Sequence, residues 1–99
     1  MTDFYQQGLQ IGAELGKRRG TALQNAAGFI SATDNLEFIN GVIDGVREAG
    51  ETVKGIRVSQ EFLHLLRNAP LASANDTYRE IPFVEDSRFF PEAAYEFEV

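Results

Sequence analysis

The sequence predicts an α+β fold, with two or three helices followed by a small β-α-β-β unit around a three-stranded mixed sheet. Three observations support this prediction. Residues 1–50 carry apolar side chains and glycines at helical spacing, residues 53–58 contain β-branched residues with an alternating end, and the last five residues alternate apolar and acidic side chains. At 99 residues the chain is expected to form one domain, with a helical half over 1–50 and a β-α-β-β half over 51–99.

The first helix is predicted from Asp3, which forms a capping box with Gln6, to a stop at Gly20. Glycines recur four residues apart along it and therefore lie on one face. Each interior glycine costs a helix about 1 kcal/mol relative to alanine, so we expect something to pack closely on this stripe. Its members are Gly8, Gly12 and Gly16.

The second helix is predicted from a capping box of Asp34 and Glu37 to a stop at Gly50. It repeats the glycine spacing at Gly41 and Gly45. The two stripes predict either that the helices cross closely or that each meets another subunit. Between the helices, residues 21–32 are interpreted as a short helix or an ordered turn.

The second half is predicted to begin with a parallel pair of strands joined by a right-handed crossover helix, and to end in a hairpin. Pro82 cannot donate a main-chain hydrogen bond, so it is expected at an edge or a bulge. The predicted elements are a strand over 53–58, a helix capped by Ser59 and closed by Pro70, a flexible loop over 71–77, a strand over 78–85, a turn from Asp86 to Pro91, and a strand from Tyr95 to Val99.

Alternation in the last strand places Tyr95, Phe97 and Val99 on one face. We expect this face to pack on the helix that contains residues 62–66. Glu96 and Glu98 then point to water or to a basic partner, and their charges discourage edge-to-edge aggregation.

Charge and composition exclude several classes of protein. The net charge is -6, and residues 80–99 hold six acids and one base, which disfavours direct nucleic-acid binding. There is no cysteine, and no apolar stretch approaches the length that spans a membrane. Met1-Thr2-Asp3 does not resemble the start of a secretion signal. We therefore expect a cytoplasmic location, without membrane contact.

Candidate catalytic groups are sparse. His64 is the single histidine, and side-chain packing explains it better than metal binding or catalysis. Glu85 and Asp86 resemble a carboxylate pair, but acids on a terminal hairpin usually form its solvated face. The basic run Lys17-Arg18-Arg19 fits a helix C-terminus better than a phosphate contact. We expect no enzyme, metal or cofactor.

Phe89 and Phe90 are adjacent aromatic residues before Pro91. One interpretation buries one ring in the core and packs the other against a helix. The other makes them an exposed aromatic anchor for a protein partner. The candidate interaction residues are therefore Gly8, Gly12, Gly16, Phe89, Phe90, Glu96 and Glu98.

Residues 53–99 resemble the ending of many small uncharacterised bacteriophage proteins. The resemblance is carried by Ile56-Arg-Val-Ser-Gln-Glu-Phe, by Ile81-Pro-Phe-Val-Glu-Asp and by Tyr95-Glu-Phe-Glu-Val, with Phe83 where a smaller β-branched residue is commoner. It implies a phage origin and no catalytic residue, with the host cytoplasm or the virion as location.

The functional hypothesis is a small interaction or assembly protein of phage origin without enzymatic activity. One version of this hypothesis makes it a virion component. Its partner is expected to be another protein or a second copy in a homo-oligomer or larger assembly. The alternative hypothesis is an acidic phage inhibitor of a host nucleic-acid or defence enzyme.

Overall fold

A computed structural model of the chain describes residues 3–25, 31–89 and 94–99. Within these ranges the secondary structure alternates between helices and strands. The helices are α1 (Phe4–Arg18), α2 (Ala32–Glu48) and α3 (Gln60–Arg67). The strands are β1 (Thr21–Asn25), β2 (Gly55–Val58), β3 (Thr77–Tyr78), β4 (Ile81–Glu85) and β5 (Ala94–Glu98).

The five described strands form one mixed sheet in the order β1-β5-β2-β4-β3. Strand β5 is antiparallel to both β1 and β2, β2 is parallel to β4, and β3 is antiparallel to β4. The α+β class and the parallel pair of strands are confirmed. The predicted three-stranded sheet is wrong, and so is the terminal hairpin, because β5 lies between β1 and β2 rather than beside β4.

The glycine stripes lie where α1 crosses α2. A Cβ on Gly12 would overlap the main chain of Val42, and one on Gly8 would overlap the Phe38 carbonyl. A Cβ on Gly16 would lie 2.7 Å from the Ala49 side chain. The close crossing of the two helices is therefore confirmed, since small residues allow their main chains to approach.

Helix α1 begins where it was predicted to begin, and helix α2 does not. Asp3 caps α1, its Oδ1 accepting a hydrogen bond from the Gln6 N–H at 3.1 Å, as predicted. Helix α2 begins earlier than predicted because Ser31 is its cap, with Oγ accepting from the Asp34 N–H at 3.0 Å. Asp34 therefore lies in the first turn of α2, where its charge suits the helix dipole.

Residues 21–25 form strand β1, so the predicted short helix or turn over 21–32 is wrong there, and residues 26–30 lie outside the described ranges. Arg19 and Gly20 have φ values of 58° and 103°, which turns the chain out of α1. Gly20 then exchanges two main-chain hydrogen bonds with Val99, at 3.0 and 2.8 Å. Long-range pairing with β5 thus fixes a segment whose local propensity was ambiguous.

The strand predicted over 78–85 is divided into β3 and β4. Arg79 and Glu80 both have positive φ, at 51° and 71°, as in a two-residue hairpin turn. Neither residue is the glycine or asparagine that usually marks such a turn, so the sequence did not predict a turn at this position.

Ser59 occupies the position before α3, but its side chain does not cap that helix. Its Oγ instead accepts a hydrogen bond from the Ala94 N–H at 3.3 Å, which ties the start of α3 to β5. Ser59 is therefore the N-cap residue of α3, as predicted, but its side chain makes no capping hydrogen bond.

Tyr95 lies at the centre of the core, on the inner face of the sheet. Its ring centroid is 4.6 Å from that of Phe62 on α3, 5.6 Å from that of Phe97 and 6.1 Å from that of Phe38 on α2. The buried face predicted for β5 and its packing on α3 are confirmed. Because α2 and α3 both contact Tyr95, they cover the same face of the sheet.

Candidate protein interface

The other face of the sheet, here called the outer face, carries two cross-strand rows of residues. Strand register defines both rows, because directly opposed residues point to the same side. The pairing of β2 with β4 is continued here by one residue, to Gly55 and Pro82, whose carbonyl oxygen is the nearest neighbour of a Cβ on Gly55. The first row is Leu23, Glu96, Arg57 and Val84. The second is Thr21, Glu98, Gly55 and Pro82.

The ends of the first row are exposed apolar side chains. Leu23 is 61% exposed and Val84 is 56% exposed. Among the described residues, the other large apolar side chain that exposed is Leu71, which lies on the helical side of the molecule. Glu96 and Arg57 lie between Leu23 and Val84, so these are two separate apolar groups exposed on one face rather than one contiguous patch.

Charged groups occupy the middle of this face. Arg57 Nη1 lies 3.8 Å from Asp86 Oδ2, and Arg88 Nη2 lies 3.9 Å from Glu96 Oε1. Arg88 also donates to both Asp86 oxygens, the shortest distance being 2.7 Å. The hydrogen bonds from the Arg88 side chain and main chain lower the pKa of Asp86, and the pKa of Arg88 is correspondingly raised. The charges of this face are therefore largely balanced.

The segment after β4 holds Arg88 in place. Ser87–Phe89 forms a short 3-10 turn, in which the Asp86 side chain accepts from the Arg88 N–H at 3.0 Å. Phe89 is half-buried, and the Arg88 guanidinium carbon lies 6.0 Å from its ring centroid. Phe90, the other predicted aromatic anchor, lies outside the described residues.

The predicted interaction residues separate into two groups. Gly8, Gly12 and Gly16 are buried against α2 of the same chain, so the folded chain does not offer them to a partner. Glu96 and Glu98 belong to the outer face, as their alternation predicted. Sequence reasoning missed Leu23, Arg57 and Val84. Alternation within the two predicted strands contained the signal for Arg57 and Val84, whereas Leu23 required knowledge of β1.

A second polar cluster joins α1, α2 and the β3–β4 turn. Asp44 accepts hydrogen bonds from the Tyr5 hydroxyl and from Arg79, both at 2.7 Å. Asn40 Oδ1 accepts from the Tyr78 hydroxyl at 2.8 Å and from Arg79 at 3.2 Å. Partial burial acts to raise the pKa of Asp44, but the hydrogen bonds from Tyr5 and Arg79 hold it below its ordinary value.

Both tyrosines of this cluster have a raised pKa. For Tyr5 the main cause is the hydrogen bond to the Asp44 carboxylate, and for Tyr78 it is burial. With Glu37 and Leu71 the cluster lines a shallow depression. The donors and acceptors of this cluster bond to one another. The cluster therefore holds the β3–β4 turn against α1 and α2.

Metal-ligating groups do not converge anywhere in ranges 3–25, 31–89 and 94–99. His64 is exposed on α3. Of the carboxylates that resembled a paired site, Asp86 bonds to Arg88, while Glu85 is exposed. None of the helices in the described ranges is long and apolar enough to cross a membrane.

Comparison with the models of known protein families, with curated proteins and with solved structures gave no match.

Proposed function

We propose that this protein is a small interaction or assembly protein without enzymatic activity, and that the outer face is its contact surface. The observation that carries the proposal is the alignment of exposed Leu23 and Val84 at the two ends of one cross-strand row. A bacteriophage origin, with the virion or the host cytoplasm as location, is part of the proposal. Its support is the resemblance of residues 53–99 to phage proteins.

Among the described residues, three carboxyl groups have a lowered pKa, which makes each of them a poor candidate for a general acid or base. The carboxyl groups with lowered pKa in the described residues are Asp44, Asp76 and Asp86. Each accepts hydrogen bonds from an arginine, which holds it ionised. A general acid or base needs a pKa closer to neutrality.

The same pairs make the inhibitor hypothesis the weaker of the two. A protein that imitates nucleic acid has to present its carboxylates as an array of unneutralised negative charge. Here Asp44, Asp76 and Asp86 are each neutralised by an arginine. On the outer face Glu98 is exposed, and apolar side chains stand at both ends of the neighbouring row.

Site-specific photocrosslinking tests the proposal. A photoreactive phenylalanine analogue is placed at Val84 in one variant and, as a matched control, at Leu71 in another, since both positions are exposed and lie on different sides. After irradiation in the native host, adducts are identified by mass spectrometry. We expect a discrete protein adduct from Val84 and none from Leu71. Equal labelling from both positions, or no adduct from Val84, would overturn the proposal.

A further inference from the structure

We infer that the outer face binds a second copy of this chain, the two sheets packing face to face about a two-fold axis that runs along the strands between β5 and β2. This inference names the partner for the proposed function and rests on it. It follows from the order of residues across the sheet. When this order is reversed, as it is in a second copy facing the first, each residue meets one of complementary character.

The first row shows this self-complementarity. It reads Leu23, Glu96, Arg57, Val84 across four strands. A two-fold axis between Glu96 and Arg57 places each Glu96 opposite Arg57 of the second copy, and each Leu23 opposite Val84. In such an isologous contact every favourable pair occurs twice. Apolar side chains therefore meet apolar ones. In the middle of the face each Arg57 meets Glu96, whose side chain is 18% exposed and lies 3.9 Å from Arg88 of its own chain.

The second row is compatible with the same axis. Glu98 comes to lie opposite Gly55 of the second copy, and Thr21 opposite Pro82. Gly55 has no side chain, and a Cβ there would have its nearest neighbour, the Pro82 carbonyl oxygen, at an ordinary 3.6 Å. The absence of a side chain at Gly55 leaves room for Glu98 of the other copy.

The size of the face limits any dimer to a weak and reversible one. Four strands spaced about 4.8 Å apart and about five residues long cover roughly 300 Å². Stable complexes bury about 800 Å² per partner. The net charge of -6 on each copy also opposes association. We therefore expect monomers in dilute solution and dimers as the concentration or the salt concentration rises.

The exposed edge of β1 offers a competing mode of self-association. Because Gly20 and Val99 form a hydrogen-bonded pair, the main-chain groups of Thr21 and Leu23 point away from β5. Arg18 already donates to the Thr21 carbonyl at 3.1 Å, which obstructs an incoming strand. The face-to-face mode uses Val84, three strands from β1, and the edge mode does not.

A charge exchange in the full-length chain tests the inference by sedimentation equilibrium over a concentration series. Glu96→Arg and Arg57→Glu singly place like charges opposite each other across the axis. Each should weaken dimerisation about tenfold. The double variant restores opposite charges across the axis, and it should dimerise more tightly than either single variant. Thermal melting of every variant checks that the monomer is folded. Glu96→Gln and Arg57→Gln are milder substitutions, because each removes one charge without introducing the opposite one.

Apolar substitutions complete the test. Leu23→Ser and Val84→Ser should each weaken the dimer, while Leu71→Ser should leave it unchanged. A mass that stays at the 11.0 kDa of one chain at every concentration would overturn the inference. So would a dimer that is indifferent to Val84→Ser, which would indicate edge pairing, or a double variant weaker than both singles. A monomeric chain that still gives a Val84 adduct with another protein overturns the dimer and leaves the proposed function standing.

Discussion

Gly12 on α1 lies directly against the main-chain carbonyl of Val42 on α2. The arrangement is reciprocal, because Gly41 and Gly45 on α2 lie against the carbonyls of Tyr5 and Leu9 on α1. Glycines four residues apart on each helix thus allow two main chains to touch. The cost that these glycines impose on each isolated helix is offset only when the pair is assembled.

Gly12→Leu should lower the free energy of unfolding by about 1–3 kcal/mol or more, because a bulky side chain would force the two helices apart. Thermal melting and urea unfolding measure the effect. Gln10→Leu places the same side chain on an exposed position of α1 and is the matched control. An unchanged melting temperature for Gly12→Leu would contradict the close packing.

Removal of residues 95–99 should prevent folding, because β5 lies between β1 and β2 in the sheet. Tyr95, Phe97 and Val99 are buried, and each buried side chain of this size contributes about 1.5–3 kcal/mol. Circular dichroism of a chain that ends at Ala94 tests this. Glu98→Gln, at an exposed position of β5, should melt like the wild type. A truncated chain with a cooperative transition at the wild-type temperature would show that β5 is dispensable.

Asp44 and Arg79 should be energetically coupled, since their side chains meet at 2.7 Å and both are less than one-third exposed. A double-mutant cycle with Asp44→Ala and Arg79→Ala should give a coupling free energy of about 1 kcal/mol. Additive effects of the two substitutions on urea unfolding would mean that the pair does not stabilise the turn.

Acid should destabilise the fold as Asp44, Asp76 and Asp86 take up protons. Their pKa values are lowered in the folded chain, so the unfolded chain binds protons more readily as the pH approaches the ordinary carboxyl pKa of about 3.9. The stability they contribute is complete above that range and is lost as the pH falls through the lower folded values. Melting temperatures between pH 7 and pH 3 measure this loss. Asp86→Asn should make the dependence shallower, and an identical slope would contradict the role of Asp86.

Glu80→Asn should stabilise the β3–β4 turn by up to about 1 kcal/mol. Glu80 has a φ of 71°, a conformation that asparagine adopts more readily than glutamate. Glu80 is exposed, so little packing is altered. Urea unfolding measures the gain, and Glu85→Asn, at an exposed position of β4, is the control. A lower midpoint for Glu80→Asn would mean that the glutamate side chain itself supports the turn.

Local signals predicted the elements that carry a strong pattern of their own. These signals are the cap at Asp3, the apolar period of α2 and the alternation from Tyr95 to Val99. Each predicted its element because the pattern lies entirely within that element. The same alternation correctly placed Glu96 and Glu98 on the outer face. In contrast, β1 and the Arg79–Glu80 turn have no strong local signature, and both were missed.

Residue spacing was enough to predict the α+β class, the facing glycine stripes and the buried face of the last strand, because spacing along the chain fixes which side chains share a face. The pairing of β5 with β1 and β2 is visible only in the folded chain, and it brings Leu23, Glu96, Arg57 and Val84 into one row. These residues lie far apart in the sequence. Strand order depends on hydrogen bonding between distant segments, and no local pattern records it.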